Sequence, residues 1–394
     1  MYKLHTKCRV CGNTNLESVA DFGATPLAND FKTKSEEHCG FAPLDVLFCD
    51  SCSLAQLSVV VNPKILYSNY SYVSSNSNTM FLHMEQLISD IKSESSIRSV
   101  LEIGSNTGVF LRLISGKGAS YVHGIDPAQN LAKISTEIGI PTTVGFWSRK
   151  LAEQSGIRSV DVVIARHVFA HVDDWREFID ALEVVTWEKS LVVIEVPYVG
   201  NLLNGNEWDS VYHEHLSYVS IRSINRLLRG TRWQLSSVKR YSIHGGSIAL
   251  FLRRRSNSDR TVMDDVFESK QFKHSSNEWK SMASTMMSEL SKGPVRRVFG
   301  YGAPAKATLW TSHLGLSSKH VEFVHDETPQ KQGRFMPGTD IPVIDGRDRM
   351  KLFDTGIIFA WNFADEIIRK EEWFEKQGGR FIVPFKPYLT GKHA

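Results

Sequence analysis

Residues 99–108, Ser-Val-Leu-Glu-Ile-Gly-Ser-Asn-Thr-Gly, constrain this 394-residue chain more than any other stretch. The apolar run reads as a short buried strand that enters a glycine-bearing turn, and residues 109–114 read as the helix that follows. Gly104 and Gly108 lack a Cβ, so the backbone can turn sharply there and come close to a ligand. A second strand over 121–125 ends at Asp126. An acidic residue about 20 positions after a glycine turn is the usual partner of ribose hydroxyls in doubly wound nucleotide-binding folds. The glycines do not follow G-x-G-x-x-G, which argues against a dinucleotide.

The alternation continues in both directions. Strands are expected at 160–165 and 190–196, and helices at 80–91, 128–138 and 174–185. Near-continuous β-branched runs such as Val-Asp-Val-Val-Ile-Ala mark parallel strands buried on both faces. Open sheets of this kind bind ligands at the carboxyl ends of their strands, which gathers Gly104, Asp126, Arg166 and His167 around one crevice. Two more strand-like pieces, 234–242 and 247–253, close the unit around His244-Gly245-Gly246. The fold class expected is therefore α/β, with a central Rossmann-like domain over 76–255. A second strand–glycine–helix start lies at 297–307, where Gly300, Tyr301, Gly302 and Ala303 lead into Lys306. Helix N-termini present free N–H groups and favour phosphate, and Lys306 adds a positive charge in that first turn. His325-Asp326 echoes Asp126, and Lys331-Gln332-Gly333-Arg334 forms a basic loop beyond it. Residues 256–394 thus read as a second Rossmann-like α/β domain with a ligand of its own, entered through a polar helix whose Trp279, Met282, Met286 and Leu290 stripe is core packing.

Four of the five cysteines form two pairs, Cys8-x-x-Cys11 and Cys49-x-x-Cys52. Each pair can grip one edge of a tetrahedral zinc, and together they give a closed, structural shell with no open position. Cys39 lies between the pairs and is read as no ligand. Residues 1–75 are expected to be a small zinc-binding domain whose metal substitutes for a core. It ends in a stretch rich in tyrosine and hydroxyls, Tyr67 to Ser77, read as a substrate-facing loop. A net charge of +3 over this length implies no nucleic-acid footprint. The absence of a long apolar run and of an apolar leader suggests a cytoplasmic protein with no membrane contact.

After the strand ending at Pro197 stands Tyr212-His213-Glu214-His215. If extended, Tyr212 and Glu214 share one face and the histidines the other; a turn would let three of these groups converge. Histidine can take and return a proton near neutral pH, and a neighbouring carboxylate can orient it.

The order of these elements resembles the sugar-nucleotide C-methyltransferases. The resemblance rests on the double Cys-x-x-Cys, Tyr-x-Tyr-x-Ser-Ser, Glu-Ile-Gly-Ser-Asn-x-Gly, Tyr-His-Glu-His-x-Ser-Tyr, Gly-Tyr-Gly-Ala-x-Ala-Lys and Ala-Trp-Asn-Phe-Ala-Asp-Glu, and runs from Cys8 to Pro384. It implies a zinc-binding N-terminal domain, an S-adenosylmethionine-dependent methyltransferase domain, and a C-terminal domain that helps hold a nucleoside-diphosphate keto sugar. The reaction implied is methylation of C-3 beside the ketone of a 4-keto-6-deoxy sugar. His215 would be the general base, with Glu214, Tyr212 and Tyr72 around the reacting sugar. The cofactor would lie against Glu102, Gly104, Ser105, Asn106, Gly108, Asp126, Pro127 and His167. The sugar nucleotide would lie against Tyr301, Gly302, Ala303, Lys306, Lys331 and Gln332. One departure is Trp208, where relatives often carry phenylalanine before Asp209; it bears on substrate fit. The rival readings are an O- or N-methyltransferase on a related sugar nucleotide, an inactive sugar-nucleotide-binding relative and, more weakly, a zinc-finger nucleic-acid methylase. The nucleotide, the sugar and the oligomeric state are not fixed by the sequence.

Overall fold

The computed structural model describes every residue except 35–38, 69, 71–76, 257–261, 292–296 and 391–394. Tyr72 therefore lies outside the described residues. In the N-terminal part, β1 (Tyr2–Leu4) pairs with β5 (Val59–Val61), while β2 (Glu17–Pro26), β3 (Phe41–Cys49) and β4 (Leu54–Leu57) form an antiparallel sheet. Strand β3 alternates strictly, burying Ala42, Leu44, Val46 and Phe48 and leaving the residues between them more exposed, as one sheet face on a core requires. This part was expected to lean on its metal for want of a core. Instead its apolar face joins a core continuous with the rest of the chain, in which Phe48, Phe169, Trp208, Trp279 and Trp310 are all buried.

The central sheet contains β6 (Ser99–Ile103), β7 (Tyr121–Asp126), β8 (Thr142–Val144), β9 (Val160–Arg166), β10 (Thr186–Pro197), β12 (Trp233–Tyr241) and β13 (Ser247–Arg254). Their order is β12-β13-β10-β9-β6-β7-β8, parallel from β10 to β8 and closed by an antiparallel pair. The carboxyl ends of β6, β7, β9 and β10 consequently meet along one rim. Strand β11 (Ser217–Tyr218) does not belong to this sheet. It pairs antiparallel with β4, Ser217 against Gln56 and Tyr218 against Ala55, so the chain just after His215 is a fourth strand of the N-terminal sheet.

The C-terminal sheet contains β14 (Val298–Tyr301), β15 (Val324–His325), β16 (Arg334–Phe335), β17 (Pro342–Ile344), β18 (Thr355–Ile358), β19 (Arg380–Val383) and β20 (Lys386–Thr390). Its order is β16-β17-β15-β14-β18-β19-β20, with a parallel centre and antiparallel edges. The helix Ser269–Ser291 that leads into it lies along the N-terminal sheet. Lys273 pairs with Glu17, the Lys280 ammonium donates to the carbonyl of Asp21 (3.1 Å), and Trp279 meets Phe22 edge-on at 5.5 Å. Trp208 is part of the same packing. It is fully buried against Phe22 and Phe272 and its indole N–H donates to Ser275, so it bears on the junction between domains and does not form substrate wall. No helix among the described residues is long and apolar enough to cross a membrane.

Candidate functional site

A cavity of about 580 Å³ opens at the carboxyl rim of the central sheet and is walled by all three parts of the chain, from Asn29 through Gly104 and Asp126 to Lys306 and Asn362. Its first wall is the turn after β6. Gly104 and Gly108 both adopt positive φ, +72° and +74°. A Cβ on Gly104 would stand 2.9 Å from the Cβ of Val168, and one on Gly108 would run into the Ser135 hydroxyl. Glycine is therefore required at both positions by conformation and by space. Asp126 closes the turn: its carboxylate accepts from the backbone N–H of Asn106 (2.7 Å) and of Ala128 (2.9 Å). Its remaining lone pairs face the cavity, whose wall also includes Asn106, Pro127 and His167. Glu102, Ser105 and Gly108 lie beneath that wall and do not line it. Glu102 is fully buried, its carboxyl pushed up to about 7 by desolvation, and it holds the Arg166 guanidinium at 2.8 Å. Arg166 in turn lies over the Phe110 ring and reaches the cavity. The donor set fits S-adenosylmethionine, with a glycine cradle at the end of the first strand and an acidic acceptor for ribose at the end of the second.

The second wall is the segment 212–215, which is a turn and not an extended strand: the His215 N–H donates to the Tyr212 carbonyl at 2.9 Å. Of the alternatives open in the sequence, the turn brings Tyr212 and His215 together and sends the other two side chains elsewhere. The ring centroids of Tyr212 and His215 lie 4.1 Å apart with the planes tilted by 34°, and the tyrosine hydroxyl lies 2.8 Å from Nε2 of His215. Nδ1 of His215 faces the Ser210 carbonyl at 2.7 Å. A carbonyl only accepts, so in the neutral ring Nδ1 carries the hydrogen and Nε2 is an acceptor that receives the Tyr212 hydroxyl. Burial pushes His215 down to about 4. His213 points away from the cavity, its Nε2 against the carbonyls of Ala42 and Pro43 on β3. Glu214 is buried and lifted to about 7 by desolvation, while Asn29 (2.6 Å) and the Tyr70 hydroxyl donate to its two oxygens. His171 completes this wall, its ring 5.2 Å from His215 and stacked on Tyr67. Sequence reasoning assigned no individual role to Asn29 or Tyr70. Tyr70 stands in the tyrosine-rich stretch already singled out, whereas nothing local marked Asn29.

The C-terminal residues divide. Lys306 enters the cavity, donating to the His244 carbonyl (3.2 Å) and Asn362 Oδ1 (3.4 Å), with its ammonium 4.3 Å over the Trp361 ring. Tyr301, Gly302, Ala303, Lys331 and Gln332 do not line it. Asp326 repeats the geometry of Asp126, accepting from the N–H of Ala303 (2.7 Å) and Thr328 (2.9 Å). Here, however, the buried Lys331 ammonium stands against the same carboxylate (3.3 Å) and the Ala303 carbonyl (2.9 Å), and Gln332 donates to the Asp326 carbonyl. The Tyr301 hydroxyl donates to Glu371, and a Cβ on Gly302 would lie 2.6 Å from that of Ala360. These residues hold the second turn closed on itself.

Away from the cavity, the sulfurs of Cys8, Cys11, Cys49 and Cys52 all lie within 4.8 Å of one another, and none is in a disulfide. Cys8 and Cys52 stand 3.4 Å apart and Cys11 and Cys49 3.5 Å apart. A tetrahedron of zinc–sulfur bonds of about 2.3 Å has edges of about 3.8 Å, so the cluster fits a structural zinc.

Three stretches match known families. Residues 8–67 match a zinc-binding domain, residues 79–238 a methyltransferase domain, and residues 242–386 the C-methyltransferase C-terminal domain. Over 400 aligned residues the chain is 32% identical to the C-methyltransferase NovU of Streptomyces niveus, spanning 96% of this chain and 95% of that one. Among solved structures, the PH0226 protein of Pyrococcus horikoshii OT3 overlaps 47% of this chain and 95% of its own length, with 14% identity and a TM-score of 0.37. Magnesium protoporphyrin IX methyltransferase of Synechocystis PCC 6803 overlaps 47% of this chain and 88% of its own, with 12% identity and a TM-score of 0.36.

Proposed function

The chain belongs to the C-methyltransferases, enzymes that use S-adenosylmethionine to methylate carbon, and on that premise we propose that it methylates C-3 beside the ketone of a nucleoside-diphosphate 4-keto-6-deoxy sugar. The observation that carries this reading is the Tyr212–His215 pair, a hydroxyl donor and a proton acceptor 2.8 Å apart in the cavity that Asp126 also lines. S-adenosylmethionine supplies an electrophilic methyl group, which a sugar carbon can take up only as an enolate. Making that enolate requires a base at the carbon and a donor at the neighbouring ketone oxygen. When the Tyr212 hydroxyl turns from Nε2 to the ketone oxygen, Nε2 of His215 is free to accept the α-proton. The bond from Nδ1 to the Ser210 carbonyl holds the tautomer that makes this possible. His213 is the weaker choice of base, since its ring is committed to carbonyls outside the cavity.

The chemistry around the pair supports a charged, ketone-bearing substrate. Asn29, Tyr70 and His171 line the cavity beside His215, and Glu214 lies behind the first two and holds them by hydrogen bonds. Lys306 offers a cation to a diphosphate in the same cavity. Residue roles follow: Asp126 accepts ribose hydroxyls, His215 moves the proton, Tyr212 steadies the oxyanion, and Lys306 meets the diphosphate. The four paired cysteines would hold zinc and take no part in the chemistry. A panel of nucleoside-diphosphate 4-keto sugars, deuterated beside the ketone and incubated with enzyme and S-adenosylmethionine, tests the proposal by mass spectrometry. The expected product gains one methyl group and loses one deuterium from the same carbon. Methylation on oxygen or nitrogen with the deuterium retained would overturn it.

A further inference from the structure

The zinc-binding part and the cavity are joined by one side chain. Arg9 sits between Cys8 and Cys11, and its side chain has no exposed surface. Its backbone N–H donates to the buried Gln56 side chain, on the strand that pairs with β11. Its guanidinium makes three further bonds, each of 3.2 Å: to the carbonyl of Leu57, to the carbonyl of Leu216 and to the carboxylate of Asp173. Leu216 is the residue after His215, and Asp173 lies two residues beyond His171. The Leu216 N–H donates to Ala170 at 2.9 Å, so the two loops are also tied to each other at the place where Arg9 grips them.

We infer that Arg9 is a positioning residue, which fixes the loops carrying His215 and His171 relative to the zinc-binding cysteines. A planar guanidinium suits the task because its donors diverge in a fixed fork, and a lysine ammonium cannot span the same acceptors. Burial makes those bonds hard to replace, because a donor left unpaired there keeps its desolvation cost. The role of the metal follows from this: zinc anchors the segment from which Arg9 reaches, and so holds a base it never touches. The inference rests on the reading of His215 as the base.

The test uses the full chain with Arg9→Met and Arg9→Lys. Zinc per chain, S-adenosylmethionine affinity and the number of S-adenosylmethionine-binding sites are measured beside kcat and KM. The expected result is unchanged zinc and cofactor binding, KM within about twofold, and kcat per binding site lower by tenfold or more in Arg9→Met, with Arg9→Lys between it and the parent; small misplacements of reacting groups cost this much. A kcat per binding site equal to the parent's in both variants overturns the inference. So does a loss fully accounted for by fewer zinc-loaded or cofactor-binding molecules, which marks a merely structural prop. Should Arg9→Met not fold, Asp173→Ala removes one of the gripped groups and is expected to give a smaller loss of the same kind. Nitrogen NMR of the His215 ring reads the displacement without any substrate: a shifted Nδ1 signal in Arg9→Lys is expected, and an unmoved one counts against the inference. If the parent enzyme methylates no keto sugar while that signal still moves, the functional reading fails and the positioning role stands.

Discussion

His215 draws its chemistry from two fixed neighbours, the Ser210 carbonyl that sets its tautomer and the Tyr212 hydroxyl that occupies its free nitrogen. Burial pushes it down to about 4, so it stays neutral through the whole physiological range. The acid limb of proton exchange at the substrate's α-carbon should therefore lie near pH 4 and not near the ordinary histidine value; rates measured from pH 5 to 7 should be flat where His215 governs them. His215→Ala should lower turnover roughly 100-fold or more, the usual scale for loss of a general base, while His213→Ala should not. Glu214 gives a second pH prediction, in stability. Its folded value is about 7, above the ordinary carboxyl value, so between about 4.5 and 7 the folded chain holds a proton that the unfolded chain has lost. In that window this group makes stability fall as pH rises, and Glu214→Gln should flatten the slope of Tm against pH. Equal slopes in the two proteins would exclude the assignment. At this scale the sequence was legible where chemistry repeats at short spacing, as in the cysteine pairs and the 212–215 run. It was silent on Asn29, which meets Glu214 across 185 positions, and on the internal partners of Lys331, because only folding creates those contacts.

The strands whose apolar runs are long were readable as strands: β6, β7, β9, β10 and β13 fall where β-branched residues cluster. Strands β8 and β11 are three and two residues long, too short to express a period of two, and both were missed. The loss of β11 mattered, since Ser217 and Tyr218, within the stretch expected to belong to the central domain, join the N-terminal sheet. The segment 212–215 could not be resolved between strand and turn because it contains no glycine or proline to mark the reversal. The β6–turn–β7 unit was more explicit, and it carries a prediction. Asp126 both braces the turn and presents its free lone pairs to the cavity. Asp126→Asn loses the charge and keeps one of the two acceptor oxygens, so one N–H of the brace loses its partner. Calorimetry should show S-adenosylmethionine binding weakened by about 1.5–3 kcal/mol, the scale of hydrogen bonds to a charged group, together with a lower Tm from the lost brace bond. Unchanged affinity would refute the ribose assignment.

Across the whole molecule, the cavity is a product of assembly: no one sheet supplies its walls. The zinc cluster stabilises one contributor, and metal analysis should find about one zinc per chain. Cys39→Ser should leave that content unchanged, since Cys39 stands apart from the cluster. The C-terminal contribution is held by a different device. Asp209 is fully buried, three residues before Tyr212, and one of its oxygens accepts both the Trp310 indole N–H (2.9 Å) and the Trp361 indole N–H (2.6 Å). Trp310 belongs to the helix Ala305–His313 that carries Lys306, and Trp361 lies under the Lys306 ammonium. One carboxylate thus joins the segment bearing His215 to both C-terminal elements that face it. Asp209→Ala would orphan two indole donors, at about 1–3 kcal/mol for each that stays buried, and would loosen the Lys306 side of the cavity. Asp209→Asn retains an acceptor oxygen and should cost less. The expected pattern is a lower Tm and a raised KM for the sugar nucleotide in Asp209→Ala, a partial return in Asp209→Asn, and unchanged affinity for S-adenosylmethionine in both, because the Asp126 wall is built from the central sheet alone. If cofactor affinity fell in step with the sugar-nucleotide KM, the carboxylate would be supporting the cavity as a whole, and the division into a cofactor wall and a C-terminal wall would be wrong.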